Sequence, residues 1–158
     1  MAISAGYLLY LAHMIKLNPY LNFMGRTEEA FTFYKSVFGG EFQMFQRFED
    51  VPNLPDKEKM SPADLKKIMH VSLMIGTDVL MATDALESAG HVLTVGNNIS
   101  LTLSVDSKEE ADKLFAALLV GGTVAMPMTD MFWGAYFGMV DDGYGIKWMI
   151  SFDAKHTF

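Results

Sequence analysis

Apolar and polar positions along the chain follow an order that occurs twice. Leu17–Phe23 (LNPYLNF) alternates as a strand does. Glu28-Glu29-Ala30 then opens a run in which Ala30, Phe31, Tyr34, Val37 and Phe38 share one helical face, closed by Gly39-Gly40. Half a chain later the same signals return. Asn98–Val105 reads as a strand, Glu109-Glu110-Ala111 opens a helix with Ala111, Leu114, Phe115 and Leu118 on one face, and Gly121-Gly122 follows. Thr27 and Ser107 are expected as N-caps, with Ser107 and Glu110 forming a capping box. The glycine pairs are expected to supply left-handed C-caps.

Strand signals follow each helix. In the first half they are Glu41–Phe48, Met69–Ile75 and Thr77–Thr83, with Gly76-Thr77 as a tight hairpin. In the second they are Thr123–Met128, Ala135–Val140 and Ile146–Phe152. Each half therefore reads βαβββ, and the predicted class is α+β. Two paired modules, residues 14–87 and 98–153, would form curved mixed sheets around a shared concavity, with the helices outside. Residues 14–158 make one domain, and residues 1–13 read as an N-terminal extension. The Pro- and Lys-rich stretch Glu49–Lys67 reads as a surface loop or a lid, with Ser61-Pro62 starting a short helix over Pro62–Ile68.

Composition narrows the function. The chain has 158 residues, of which 51% are apolar, and carries a net charge of −7. That charge argues against nucleic acid and against an anionic membrane surface, whose long-range fields would repel it. Its short apolar run, Tyr7–Ala12, cannot span a bilayer and lacks the flanks of a signal peptide. A cytoplasmic protein with no membrane partner is expected. Cysteine is absent, which removes disulfides, a thiol nucleophile and Cys-type metal centres. Methionine is abundant, at 13 residues, and supplies flexible thioethers for adaptable surfaces.

Several segments resemble the PhnB-like branch of the vicinal oxygen chelate superfamily, the glyoxalase and bleomycin-resistance fold. They are Asn18–Leu21 (NPYL), Glu28–Gly40 (EEAFTFYKSVFGG), Met69–Leu73 (MHVSL), Phe132–Ala135 (FWGA) and Asp142–Met149 (DGYGIKWM). The resemblance spans Met14 to Phe152 and implies a homodimer with a small-molecule site in the sheet concavity. The branch often carries a demethylubiquinone methyltransferase label. The chain, however, has no Gly-rich βα turn with a following acidic residue to cradle a nucleotide-type cofactor, and no cofactor is expected.

Metalloenzymes of that superfamily hold an ion with His and carboxylate ligands on four inward strand positions. By alternation, the corresponding places here fall on Asn18, His70, Asn98 and Met149. Only His70 is an ordinary ligand of a divalent ion, so no tightly bound metal is expected. His70 is the candidate catalytic residue, as a hydrogen-bond donor, an acid/base group or a lone protein ligand. Tyr20, Asn22, Gln46, Arg47, Met74, Trp133 and Met149 are the candidate ligand-binding residues. Three have plainer alternatives: Tyr20 as a core aromatic, Arg47 paired with Glu49 or Asp50, His70 as a half-buried strand histidine. Trp148 alternates with Met149 and should pack under a helix, while Asp84, Asp130 and Asp141-Asp142 read as turn or cap residues. A metal-free binding protein is the first reading, and an enzyme of the superfamily using His70 the second.

Overall fold

A computed structural model describes residues 16–155. The N-terminal extension, including His13, and His156 in the tail lie outside the described residues. Among the described residues, eight strands and three α-helices follow in the anticipated order. The first module contains β1 (Tyr20–Phe23), α1 (Thr27–Phe38), β2 (Phe42–Arg47), α2 (Pro62–Leu65), β3 (Ile68–Ile75) and β4 (Asp78–Asp84). The second contains β5 (Leu101–Ser104), α3 (Lys108–Leu118), β6 (Thr123–Asp130), β7 (Tyr136–Asp141) and β8 (Lys147–Phe152).

The modules share one topology. Their sheets run β1-β4-β3-β2 and β5-β8-β7-β6. In each, the strand before the helix pairs in parallel with the last strand, and the other pairs are antiparallel. The class is thus α+β with two βαβββ modules. Helix α1 lies against β3 and β4, α3 lies against β7 and β8, and the helices touch each other.

Strand alternation gives each sheet a helix-covered face and an open face. On the first sheet Val71, Leu73, Leu80 and Ala82 meet the helices and are buried. On the second, Trp148, Ile150 and Val140 do so. Trp148 packs under α1, its ring centroid 5.6 Å from Tyr34 and 5.4 Å from Phe38. Gly138 on β7 has no room for a side chain. An added Cβ would stand 2.4 Å from the Met128 sulfur and 3.1 Å from Phe115 of α3.

Strands β2 and β6 each depart from strict alternation at two places, and those in β6 matter most here. Strand β6 shifts register between Met126, opposite Met139, and Thr129, opposite Phe137. The extra residue places Met128 against the helix-side core, while Met126 and Thr129 stay in register with open-face residues.

Three local expectations need correction. Thr27 is the first residue of α1, not its N-cap: Arg26 holds that place without a side-chain bond. The carboxylate of Asp84, at the end of β4, caps the helix instead. It accepts from Thr27 N (3.0 Å) and Thr27 Oγ1 (2.7 Å), and through its other oxygen from Ile68 N (2.9 Å). Leu17, expected to open the first strand, precedes β1 and is 95% exposed. The C-cap of α3 is the right-handed Leu119, with Gly121 at φ 75° two residues later, while Gly39 caps α1 with φ 71°. Ser107 does cap α3, accepting from Glu110 N at 3.1 Å.

The joint between modules is polar at its centre. Asp142, in the β7–β8 turn, is buried. One oxygen accepts from Tyr34 OH of α1 (2.7 Å) and Trp148 Nε1 (2.8 Å). The other accepts from Tyr144 N (2.8 Å) and Ile146 N (2.9 Å). Burial pushes the Tyr34 hydroxyl far above its ordinary pKa, and the adjacent carboxylate adds to the rise, so it stays a donor. Asp142→Ala strands four donors and should destabilise the protein by about 3 kcal/mol, against about 1.5 kcal/mol for Tyr34→Phe. Urea unfolding checks both through the midpoint at unchanged slope.

Candidate functional site

The open face of the first sheet carries most of the chemistry-bearing residues. Register sets them in rows across the strands. Met44 of β2, Ser72 of β3, Met81 of β4 and Tyr20 of β1 form one row. Gln46 opposite His70, and Asn22 opposite Thr83, stand alongside. Met74 is two residues beyond Ser72 and shares this face.

Tyr20 and His70 are directly joined. The phenolic oxygen lies 3.1 Å from His70 Nδ1, and the ring centroids are 5.6 Å apart. Tyr20 is 45% exposed, so it is not a core aromatic. Partial burial raises its pKa, opposed by the neighbouring Thr83 hydroxyl, and the phenol remains protonated at neutral pH. A phenol donating to Nδ1 selects the imidazole tautomer with its proton on Nε2, aimed away from Tyr20. The pair can thus present a single oriented N–H donor, or, in the other tautomer with Nδ1–H donating to the phenolic oxygen, a base at Nε2.

The remaining expected residues divide. Arg47 turns from His70. Its guanidinium donates to Glu28 Oε1 at 2.7 Å and to the Lys66 carbonyl at 2.6 Å. The partner is thus Glu28 of α1, whereas the Asp50 carboxylate takes the Arg47 backbone N–H. These groups border a cavity of about 520 Å³ with Lys67 and Asp84. Trp133 and Met149 stand on the second module: Trp133 in the β6–β7 turn, 6.0 Å from Phe137, and Met149 on the open face of β8.

A larger cleft, about 1030 Å³, opens beside β1 and β5. Apolar Val95, Ile99 and Met24 line it with Asn18, Asn98 and Tyr144. His70 does not line it, but Tyr20 and Asn22 border it, so β1 joins the cleft to the His70 face. Two of the four positions matching the superfamily's metal ligands, Asn18 and Asn98, thus belong to this cleft. Among the described residues no three His, Cys, Asp or Glu side chains gather where they could hold a metal ion. The donor set of Asn18, His70, Asn98 and Met149 does not suit a divalent ion, and no chemistry is routed through one.

Segment 48–67 is tied at several points. Phe48 N donates to the Lys67 carbonyl, and Lys57 Nζ to the Glu49 carbonyl. Its short helix α2 is anchored by Asp64, which accepts from Lys67 Nζ (2.7 Å), Ser88 Oγ (2.7 Å) and Ser61 Oγ (2.9 Å). Nothing in the local sequence singles out Asp64. Its partner Ser88 lies 24 residues on, and only the serine-proline start hinted at a cap.

The family described as 3-demethylubiquinone-9 3-methyltransferase matches residues 15–151. The chain is similar to protein PA1353 from Pseudomonas aeruginosa, at 37% identity and a TM-score of 0.76, over 88% of this chain and 98% of that one. It is similar to a Bacillus cereus protein titled putative 3-demethylubiquinone-9 3-methyltransferase, PhnB protein, at 25% identity and TM-score 0.70, over 87% and 99%. A glyoxalase/bleomycin resistance protein/dioxygenase family enzyme from Burkholderia phytofirmans shares the fold at 23% identity and TM-score 0.54, over 84% and 95%.

The Lys67, Ser88 and Ser61 hydrogen bonds hold the Asp64 carboxyl down to about 2. A depressed carboxylate stabilises the fold above its unfolded pKa of about 4, and that contribution fades as pH falls toward 2. Wild type should therefore exceed Asp64→Asn in stability at pH 6, and the gap should close between pH 4 and 2. Urea midpoints across that range check it.

Proposed function

The chain belongs to the family described as 3-demethylubiquinone-9 3-methyltransferase, the PhnB-like branch of the glyoxalase/bleomycin-resistance superfamily, and from that premise we propose that it binds a small organic molecule on the open face of its first sheet without help from a divalent metal. One observation carries the reading: the hydrogen-bonded Tyr20–His70 pair, at the border of an apolar cleft, on a face that also holds Gln46, Asn22, Met44, Met74 and Met81. An oriented N–H, two amides and soft thioethers suit a largely apolar ligand with a carbonyl or other acceptor. Trp133 and Met149 add ligand contacts from the second sheet, and Arg47 anchors segment 48–67 at the rim.

Methyl transfer finds less support in these residues. The β1–α1 turn holds one glycine, Gly25, and the pairs at 39 and 121 follow helices, whereas a nucleotide cradle needs a glycine-rich turn between a strand and the next helix. A second reading, an acid/base enzyme, is favoured by the imidazole itself. His70 is oriented through Nδ1, and Nε2 has no hydrogen-bond partner among the described residues.

A cytoplasmic homodimer fits the surface. No helix among the described residues is long and apolar enough to cross a membrane. Phe132, in the β6–β7 turn, is 96% exposed and offers apolar surface for a second copy.

A thermal-shift screen of metabolites and antibiotics tests the binding reading. A ligand at about a hundred times its Kd should raise the melting point by roughly 5–10 °C. That shift should shrink in His70→Ala and in Tyr20→Phe. No shift from any compound far above micromolar levels would sink the proposal. Turnover that requires His70 would favour the second reading, and light scattering at twice the 17.6 kDa chain mass would establish the dimer.

A further inference from the structure

The second sheet's open face holds a row of a different kind. Met126 of β6 stands opposite Met139 of β7, and Met139 opposite Met149 of β8. Three methionines thus share one register line on three adjacent strands. The line ends on Thr102 of β5, whose Oγ1 lies 3.7 Å from the Met149 sulfur. All three residues are partly exposed.

Geometry lets the sulfurs meet. Adjacent strands are about 4.8 Å apart, so the row spans roughly 10 Å, with Met139 central. Methionine has three rotatable side-chain bonds, and the outer two can lean over the middle one. A thioether is a neutral, soft, weak acceptor. Three of them suit a soft monovalent cation and reject hard or borderline divalent ions.

The surroundings agree. Phe137 lies two residues before Met139 on the same face, with the Trp133 ring 6.0 Å away, so an aromatic wall stands beside the row. On the other side Asp141 and Lys147 are opposed and joined at 2.7 Å, which cancels their charges locally. That pairing leaves the Asp141 carboxylate already engaged by a cation.

We propose that Met126, Met139 and Met149 form a thioether site for one cuprous or silver ion on the open face of the second sheet. This site lies on the second sheet alone; it shares Met149 with the organic-ligand surface proposed above but does not require that ligand or His70.

The test uses full-length protein with 13C-methyl-labelled methionine, titrated with silver nitrate in chloride-free buffer. The methyl signals of Met126, Met139 and Met149 should shift together and saturate at one ion per chain, while those of Met44, Met74 and Met81 on the first sheet stay in place. Tryptophan emission should fall, and Trp133→Phe should abolish most of that quench. Under anaerobic reducing conditions the protein should withdraw cuprous ion from its bicinchoninate complex. The volume-conserving Met139→Leu should weaken that affinity about tenfold or more, with Met44→Leu unchanged. Zinc should shift none of the three methyl signals. The proposal is overturned if the three signals move independently or not at all, or if Met139→Leu withdraws cuprous ion as well as wild type. The methyl titration needs no variant, so a misfolded mutant cannot obscure the answer.

Discussion

A carboxylate buried between two half-domains has to satisfy its lone pairs from both, and Asp142 does so. Its donors come from the first module's helix, from the second module's last strand, and from the turn it sits in. Breaking any one leaves a charge partly unpaired in an apolar setting, which costs more than an ordinary hydrogen bond. Around it the rings of Phe31, Phe33, Phe38, Tyr144 and Trp148 surround Tyr34 at centroid distances of 5.4 to 6.3 Å, or pack on one another. The aromatic shell supplies burial, and the carboxylate allows one arrangement of it. The relation of α1 to the second module, and hence of the two open faces, follows from that joint.

The two modules share a topology but use their carboxylates differently. In the first, Asp84 works inside its own module, tying the start of α1 to the start of β3. In the second, Ser107 caps α3 locally, and Asp142 reaches across to the other module. A duplicated plan has thus been specialised at its polar contacts. The same holds for the open faces: hydrogen-bonding groups around Tyr20 and His70 on one, a line of thioethers on the other.

Local signals were readable and long-range ones were not. The EEA helix starts, the Gly76 hairpin and the burial of Trp148 depend on neighbours in sequence or on simple alternation, and they stand where expected. Thr27 misled because its side chain is claimed by Asp84, 57 residues away, which no local capping rule anticipates. Leu17 misled because alternation was extended past the true start of β1. His70 and Tyr20 could be placed on one face from the pleat, but their contact needed the parallel β1–β4 pairing that sets Tyr20 beside Met81. The methionine count was visible at once. Its arrangement into rows was not, because register is a property of strand pairs and not of any one strand.

The second irregularity in β6, between Met126 and Thr129, acts on the pleat as a frameshift acts on a reading frame. Upstream of it the strand gives Met126 to the open face. Across it the phase changes, and Met128 goes to the core beneath α3, into the space that Gly138 leaves vacant. One short strand thereby serves two surfaces with the same residue type. The cost is an ordering constraint: the stretch from Met126 to Thr129 tolerates substitutions more readily than any change in its length.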